Sequence, residues 1–258
     1  MKKNRMMRAA SALLVAVLLT TCTISGTFAK YVTEATGSDS ARVAKWGVTV
    51  VVAGSELFDD QYTDTTNGVT VKSLDAQKVV APGTSSKESK PLTFKITGQP
   101  EVDVDLKFVM ENVQEIVLKA GTYTDMTEVT GYDASNNPIY GKTFTLDKDY
   151  YPVLWTLKKN GTAVTACENV QLSVVADYLN GSSMSTKYDV EGGKFSSVTG
   201  EYTLEWAWAF EDGTNKDLYD AADTLLGNLM VDPSLVADTN NYKLSVGYKL
   251  TITATQVD

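Results

Sequence analysis

Carboxylates are abundant in this sequence and could act as general acids or bases or bind a metal. The chain has 32 Asp and Glu residues, two cysteines and no histidine. Without histidine it can contain no His-Glu-x-x-His zinc motif, no Ser-His-Asp triad and no Cys-His pair. The sequence therefore predicts a protein that is not an enzyme, unless carboxylates alone do the chemistry.

Two groups of carboxylates come close enough together in sequence to be considered. Asp103 and Asp105 alternate along a predicted strand and could offer oxygen ligands to Ca²⁺, or simply form a solvated outer face. Residues 59–64, DDQYTD, lack the Asp-x-Asp-x-Asp-Gly spacing of a calcium loop and indicate an ordinary loop. A glycosidase needs two carboxylates at a fixed separation, and no pair here has a recognisable setting. We therefore predict no cofactor, with Ca²⁺ as the alternative.

Apolar residues recur at every second position in three stretches, at residues 102–110, 202–210 and 242–252. This period is typical of strands with one buried and one solvated face, and long strands of this kind stack as antiparallel sheets. Further strands are predicted at residues 42–53, 90–98, 113–119 and 143–147. Five aromatic residues on or beside these strands are predicted to pack in the core and not to form a carbohydrate platform: Trp46, Trp155, Trp206, Trp208 and Phe210.

Turn and helix signals complete this pattern. Asn160-Gly161 predicts a type I′ hairpin, because both residues accept a positive φ. One apolar stripe predicts a helix near residues 215–230, most simply a crossover helix that covers the sheets. Residues 121–137 are rich in Thr, Asp and Asn and are predicted to form a long surface loop. The sequence therefore predicts an all-β fold, an antiparallel β-sandwich with one or two short helices in its connections.

The first 29 residues have the parts of a secretory signal peptide. Thr27 and Ala29 fill the small positions of a cleavage site, so the mature chain is predicted to begin at Lys30. The apolar stretch, residues 9–24, is shorter than the roughly 20 residues that span a bilayer, so no stable membrane anchor is predicted. It follows a basic start containing Lys2, Lys3, Arg5 and Arg8. A lipoprotein anchored at Cys22 is the alternative, although Thr21 stands where such signals need a smaller residue.

The charge and the cysteine content of the chain indicate which partners and which disulfide bonds are compatible with the sequence. Net charge is −9, and it becomes more negative once the basic signal is removed. Such a balance argues against nucleic acid and anionic membranes as partners. Cys22 leaves with the signal, so Cys167 has no intramolecular disulfide partner and is interpreted as a small buried apolar residue.

The start of the mature chain divides into a short strand-like segment and a flexible joint. We expect this strand to be too short and too detached to fold back, and therefore available for donation to a neighbouring subunit. The predicted donor residues are Tyr31, Val32, Thr33, Glu34 and Ala35, followed by a hinge at Gly37, Ser38, Asp39 and Ser40. The chain would then consist of a signal peptide at 1–29, a donor segment and hinge at 30–40, and a sandwich domain at 41–258. A frayed terminus is the simpler alternative.

Several short motifs accompany the signal. Residues 26–29 (GTFA) precede the cleavage site, residues 80–83 (VAPG) form a turn motif, and residues 90–94 (KPLTF) begin a strand. Residues 213–228 and the closing residues 254–256 (ATQ) complete the set. Together they resemble the TasA and camelysin family of secreted biofilm-matrix proteins of Gram-positive bacteria.

That resemblance implies a fold, an assembly and a processing partner. The fold would be a jelly-roll sandwich, and subunits would join into extracellular fibres by N-terminal donor-strand exchange. Other matrix components would be further partners. A dedicated SipW-type signal peptidase would cut the precursor. The camelysin label also implies a metallopeptidase, which the absence of histidine argues against. A monomeric cell-surface adhesin or matrix-binding module remains the alternative function.

Overall fold

Long amphipathic strands form the centre of the fold, because alternating sequences bury one face of each strand. The computed structural model describes residues 32–36, 40–42, 47–54, 57–64, 69–75, 77–86, 91–210 and 215–257. Its strands, in chain order, are β1 (Val32–Thr36), β2 (Ser40–Arg42), β3 (Val48–Ala53), β4 (Gln61–Asp64), β5 (Val69–Lys72), β6 (Leu92–Gly98), β7 (Val104–Gln114), β8 (Val117–Leu118), β9 (Gly121–Tyr132), β10 (Pro138–Leu146), β11 (Val153–Lys159), β12 (Thr162–Ala163), β13 (Thr186–Tyr188), β14 (Gly200–Trp208), β15 (Tyr242–Lys243) and β16 (Gly247–Gln256).

Two antiparallel sheets contain most of these strands. One sheet has the order β1-β16-β7-β13 and the other the order β12-β11-β14-β6-β3-β2. Their inner faces meet in a shared core, where the rings of Phe94 and Phe108 lie 5.8 Å apart and those of Trp155 and Tyr248 lie 5.9 Å apart. The prediction of an all-β, sandwich-like fold is confirmed.

The aromatic residues predicted for the core lie there, with one exception. Trp155, Trp206 and Trp208 are all buried, and the indole nitrogen of Trp206 donates a hydrogen bond to the Leu57 carbonyl at 2.8 Å. Phe210 lies beyond the end of β14 and is 51% exposed, so its assignment to the core is wrong. Trp46 lies outside the described residues.

Two α-helices occur among the described residues. Helix α2 (Lys216–Leu229) confirms the predicted helix, and its buried side chains pack on the core. Its Asp223 carboxylate accepts hydrogen bonds from Tyr150 and from the Trp208 indole, at 2.9 and 3.0 Å. These bonds tie the helix to β14 and to the segment that follows β10. Helix α1 (Leu172–Asn180), which packs against β7, was not predicted.

Residues 121–137 depart most from the sequence-based expectation. Instead of a loop, they supply β9 and the turn of a long hairpin with β10, and this pair forms a two-stranded sheet of its own. We call this hairpin the arm. Its base joins the core through Tyr123, Phe144 and Leu146, which are buried.

The stretch at residues 242–252 was predicted as one strand, and it is interrupted. β15 pairs with β8, residues 244–246 lie outside both strands, and β16 then pairs with β7. The Asn160-Gly161 turn is confirmed, with φ of 50° and 82° and with Lys159 opposite Thr162.

Candidate assembly site

The N-terminal strand β1 lies at the outer edge of the four-stranded sheet. It pairs antiparallel with β16, from Val32 opposite Thr255 to Thr36 opposite Thr251. The other side of β16 pairs with β7. Removing β1 would therefore leave the β16 backbone unpaired along five residues, which is the kind of edge that accepts an added strand.

The register places alternate residues of β1 opposite buried residues of β16. Thr33 stands opposite Ala254 and Ala35 opposite Ile252, and both of these β16 side chains are fully buried. The outer residue Thr253, opposite Glu34, is only partly buried. A slip by one residue would place Glu34 opposite one of these two buried residues. The edge thus accepts a strand in one defined register.

The opposite edge of the same sheet consists of β13 and, beyond it, a part of β7 that is closed by side chains. Beyond the short strand β13, the Phe108 N–H donates to Ser185 Oγ at 2.8 Å. One step further along β7, the Met110 N–H donates to Asn180 Oδ1 at 2.7 Å, and Asn180 Nδ2 donates back to the Met110 carbonyl at 3.0 Å. These two side chains continue the ladder that β13 begins, so no strand can be added at this part of β7.

The segment that was predicted to be donated is paired within its own chain. The expectation that it is too detached to fold back is wrong for residues 32–36, because β1 pairs with β16 and lies against β3. Ser40, predicted as part of the hinge, begins β2, which pairs with β3 at the edge of the six-stranded sheet. Ala29, Lys30 and Tyr31, and the hinge residues Gly37, Ser38 and Asp39, lie outside the described residues.

The candidate calcium ligands lie on β7 and just before it, and Asp105 stands opposite Thr255 of β16. Asp103 Oδ2 lies 2.8 Å from the Lys187 ammonium, which raises the pKa of that lysine. Asp105 is exposed on β7. Within the described ranges, no group of three or more Asp, Glu, Cys or His side chains could hold a metal ion.

Residues 59–64 are more ordered than the loop that was predicted. Residues 61–64 form β4, which pairs with β5, and Asp59 makes a single bridge to Val79. The Asp60 N–H donates to Asp59 Oδ1 at 2.8 Å, which lowers the pKa of Asp59. The Asp59 carboxylate therefore stabilises the turn in which it lies.

Cys167 is fully buried, as predicted, and burial raises the pKa of its thiol to about 11. A thiol in such surroundings is protonated at neutral pH and is a poor nucleophile and metal ligand. No helix within the described parts of the chain has the length and apolar character needed to cross a membrane.

Comparison of the chain with protein-family models, with curated proteins and with solved structures finds no match. The site must therefore be interpreted from its own geometry. Sequence reasoning missed Asn180 and Ser185, because a polar residue that caps a distant strand has no local signal.

Proposed function

We propose that this protein is a secreted structural subunit, which assembles into an extracellular matrix fibre by exchange of its N-terminal strand. The supporting observation is the position of β1: a five-residue strand at a sheet edge, held through its ladder with β16 and followed by a short connection to β2. A neighbour's identical strand could replace it with the same register. Such exchange of an identical element is a low-cost route to association.

The energetics of exchange differ from those of adding a new strand. Five paired residues supply about five main-chain hydrogen bonds, worth roughly 3–7 kcal/mol net in all. Exchange reforms the same bonds in the next subunit, so this sum measures the cost of opening the monomer and not the gain on assembly. Growth is then favoured by protein concentration.

The unequal edges give the assembly a direction. Each subunit donates β1 and receives at β16, whereas the β7 edge beyond β13 is closed by Asn180 and Ser185. Donor and acceptor are different surfaces, so the contact is head-to-tail and need not close into a dimer. An unbranched thread is the expected product.

Processing and location belong to the same proposal. Cleavage between Ala29 and Lys30 by a SipW-type signal peptidase would free the segment that ends in β1. For the fold, we expect the strands to follow a jelly-roll order. The role is structural and not catalytic, with other matrix components as further partners.

Deleting residues 30–36 tests this function. We expect the truncated mature protein to keep its circular dichroism spectrum, because its core residues lie in other strands, and to form no threads by negative-stain microscopy. A synthetic peptide of residues 30–40 should bind the vacated β16 edge, while a scrambled peptide of the same composition should not.

Each alternative outcome has a distinct meaning. Threads formed by the folded truncated protein would contradict strand exchange. Loss of the folded state would show that β1 belongs permanently to its own domain. An intact mature protein that stays as single particles at high concentration would favour the monomeric adhesin.

A further inference from the structure

The tip of the arm exposes apolar side chains far from the core. Tyr132 is 64% exposed and Tyr140 is 49% exposed, and Val129 and Ile139 are also exposed. Val129 stands opposite Tyr140, and Tyr132 opposite Pro138, so these two pairs each share a face of the hairpin. Clustered exposed apolar residues on a soluble protein indicate an interaction surface.

An apolar cleft of about 450 Å³ lies elsewhere on the same chain. Its floor is formed by the buried side chains of Ile116, Trp208 and Leu226, and Met230 stands 68% exposed at its side. The volume falls in the range of sites that hold a drug-sized ligand. The cleft therefore fits a small apolar projection better than a flat surface.

Charge links the tip to the cleft. Asp133 is the only charged residue in residues 129–141, and Lys78 is the only charged residue among those described as lining the cleft. Hydrogen bonds from Asn137 and Ser135 lower the pKa of Asp133, so its carboxylate stays ionised at neutral pH. A tip that carries one anion thus matches a cleft that carries one cation. Elsewhere, two copies of a chain with net charge −9 repel each other.

The arm is too long to reach its own cleft. Ile116, in the cleft, lies five residues before Gly121, where the arm begins. From there β9 extends for 12 residues, which at about 3.3 Å per residue places the tip roughly 35 Å away. An extended hairpin cannot turn back over that distance without losing its ladder. An arm tip that enters such a cleft therefore belongs to a different molecule.

We propose that the arm tip of one copy docks into the apolar cleft of a second copy, with the two tyrosine rings inside the cleft and Asp133 near Lys78. The contact is heterologous, because tip and cleft are different surfaces. Its area is small, so it is weak between two free subunits and becomes effective where many subunits are already arrayed. It does not depend on β1, and it would join neighbouring subunits or neighbouring threads.

Disulfide trapping tests this contact directly. Ser135→Cys places a thiol in the arm turn and Ser245→Cys places one at the cleft, and Cys167 is buried and does not compete. We expect a mixture of the two variants to give a mixed dimer under mild oxidation. Ser182→Cys, an exposed serine on neither surface, is the matched control and should give no dimer with Ser135→Cys.

The trapping is repeated in protein lacking residues 30–36, so that failure of strand exchange does not affect the result. Adding Tyr132→Ser and Tyr140→Ser to the arm variant should reduce the mixed dimer by about tenfold or more, because both rings leave the cleft. A dimer of Ser135→Cys with itself at equal yield would indicate tip-to-tip pairing and overturn the proposal. So would a mixed dimer no more abundant than the Ser182→Cys control, with all variants folded by circular dichroism.

Discussion

Replacing Asn180 by alanine tests how the second edge of the four-stranded sheet is closed. The Asn180 amide binds both polar groups of the Met110 backbone, accepting from the N–H at 2.7 Å and donating to the carbonyl at 3.0 Å. The Met110 residue is buried, and nothing in an alanine side chain can replace either bond. Asn180→Ala should therefore leave one strand-edge donor and one acceptor without their protein partner.

The size of the effect follows from these two bonds. Each contributes roughly 0.5–1.5 kcal/mol net, so Asn180→Ala should lower the free energy of unfolding by about 1–3 kcal/mol. Asn180 is itself exposed, so water can reach the Met110 N–H and carbonyl in the variant. The loss of stability should therefore be smaller than for two unpaired groups in a fully buried position. A domain of this size would then melt roughly 2–12 °C lower, using about 2–4 °C per kcal/mol lost.

Urea denaturation of the variant and of a matched control measures this cost. Asn240→Ala is the control, because the Asn240 side chain binds only the exposed Asp238 carboxylate of its own turn. We expect Asn240→Ala to lower the free energy of unfolding by less than about 0.5 kcal/mol. Equal stability losses for Asn180→Ala and Asn240→Ala would refute the interpretation that this side chain closes the edge. The opened edge should also make the variant associate side by side and not only in unbranched threads.

Two further predictions concern ionisable groups. Burial raises the pKa of the Cys167 thiol to about 11, so in the folded protein at neutral pH this thiol should resist a thiol reagent. In urea, where the chain is unfolded, it should react at once. Fast labelling without denaturant would show that Cys167 is accessible in the folded protein. The Lys119 ammonium and the Ala120 N–H lower the pKa of Asp149, so this carboxylate stabilises the fold above about pH 4 and loses that contribution as pH falls through its lowered pKa. Asp149→Asn should lower the free energy of unfolding by no more than about 1 kcal/mol at pH 7, because the ion pair is partly exposed. This cost should shrink as the pH falls through the lowered pKa of Asp149, and a cost that does not change with pH would contradict this account.

Local signals explain which elements the sequence could predict. The alternation in β7 and β14 and the Asn160-Gly161 turn each depend on neighbouring residues, and each is found in the structure. Helix α1 was missed because its β-branched Val174 and Val175 weaken the helical signal. Its buried face is fixed by packing against β7, which the sequence does not reveal.

Long-range pairing explains the remaining errors. The Thr-rich sequence of β9 resembles a loop until β10 is placed beside it, and the break at residues 244–246 arises because β15 and β16 join different partners. The partner of β1 could not be predicted at all, since its residues pair with β16 at the other end of the chain. The N-terminal strand was therefore identified from sequence, whereas its pairing partner β16 required the structure.

A reversible lock between β1 and β16 tests strand exchange most directly. Glu34 stands opposite Thr253, so Glu34→Cys with Thr253→Cys can form a disulfide that holds each strand in its own subunit. We expect the oxidised mature protein to remain monomeric and to form threads only after a reductant is added, while the single variant Glu34→Cys forms threads in the presence of reductant. Threads that grow equally fast from the fully oxidised, locked protein would contradict assembly by exchange of β1.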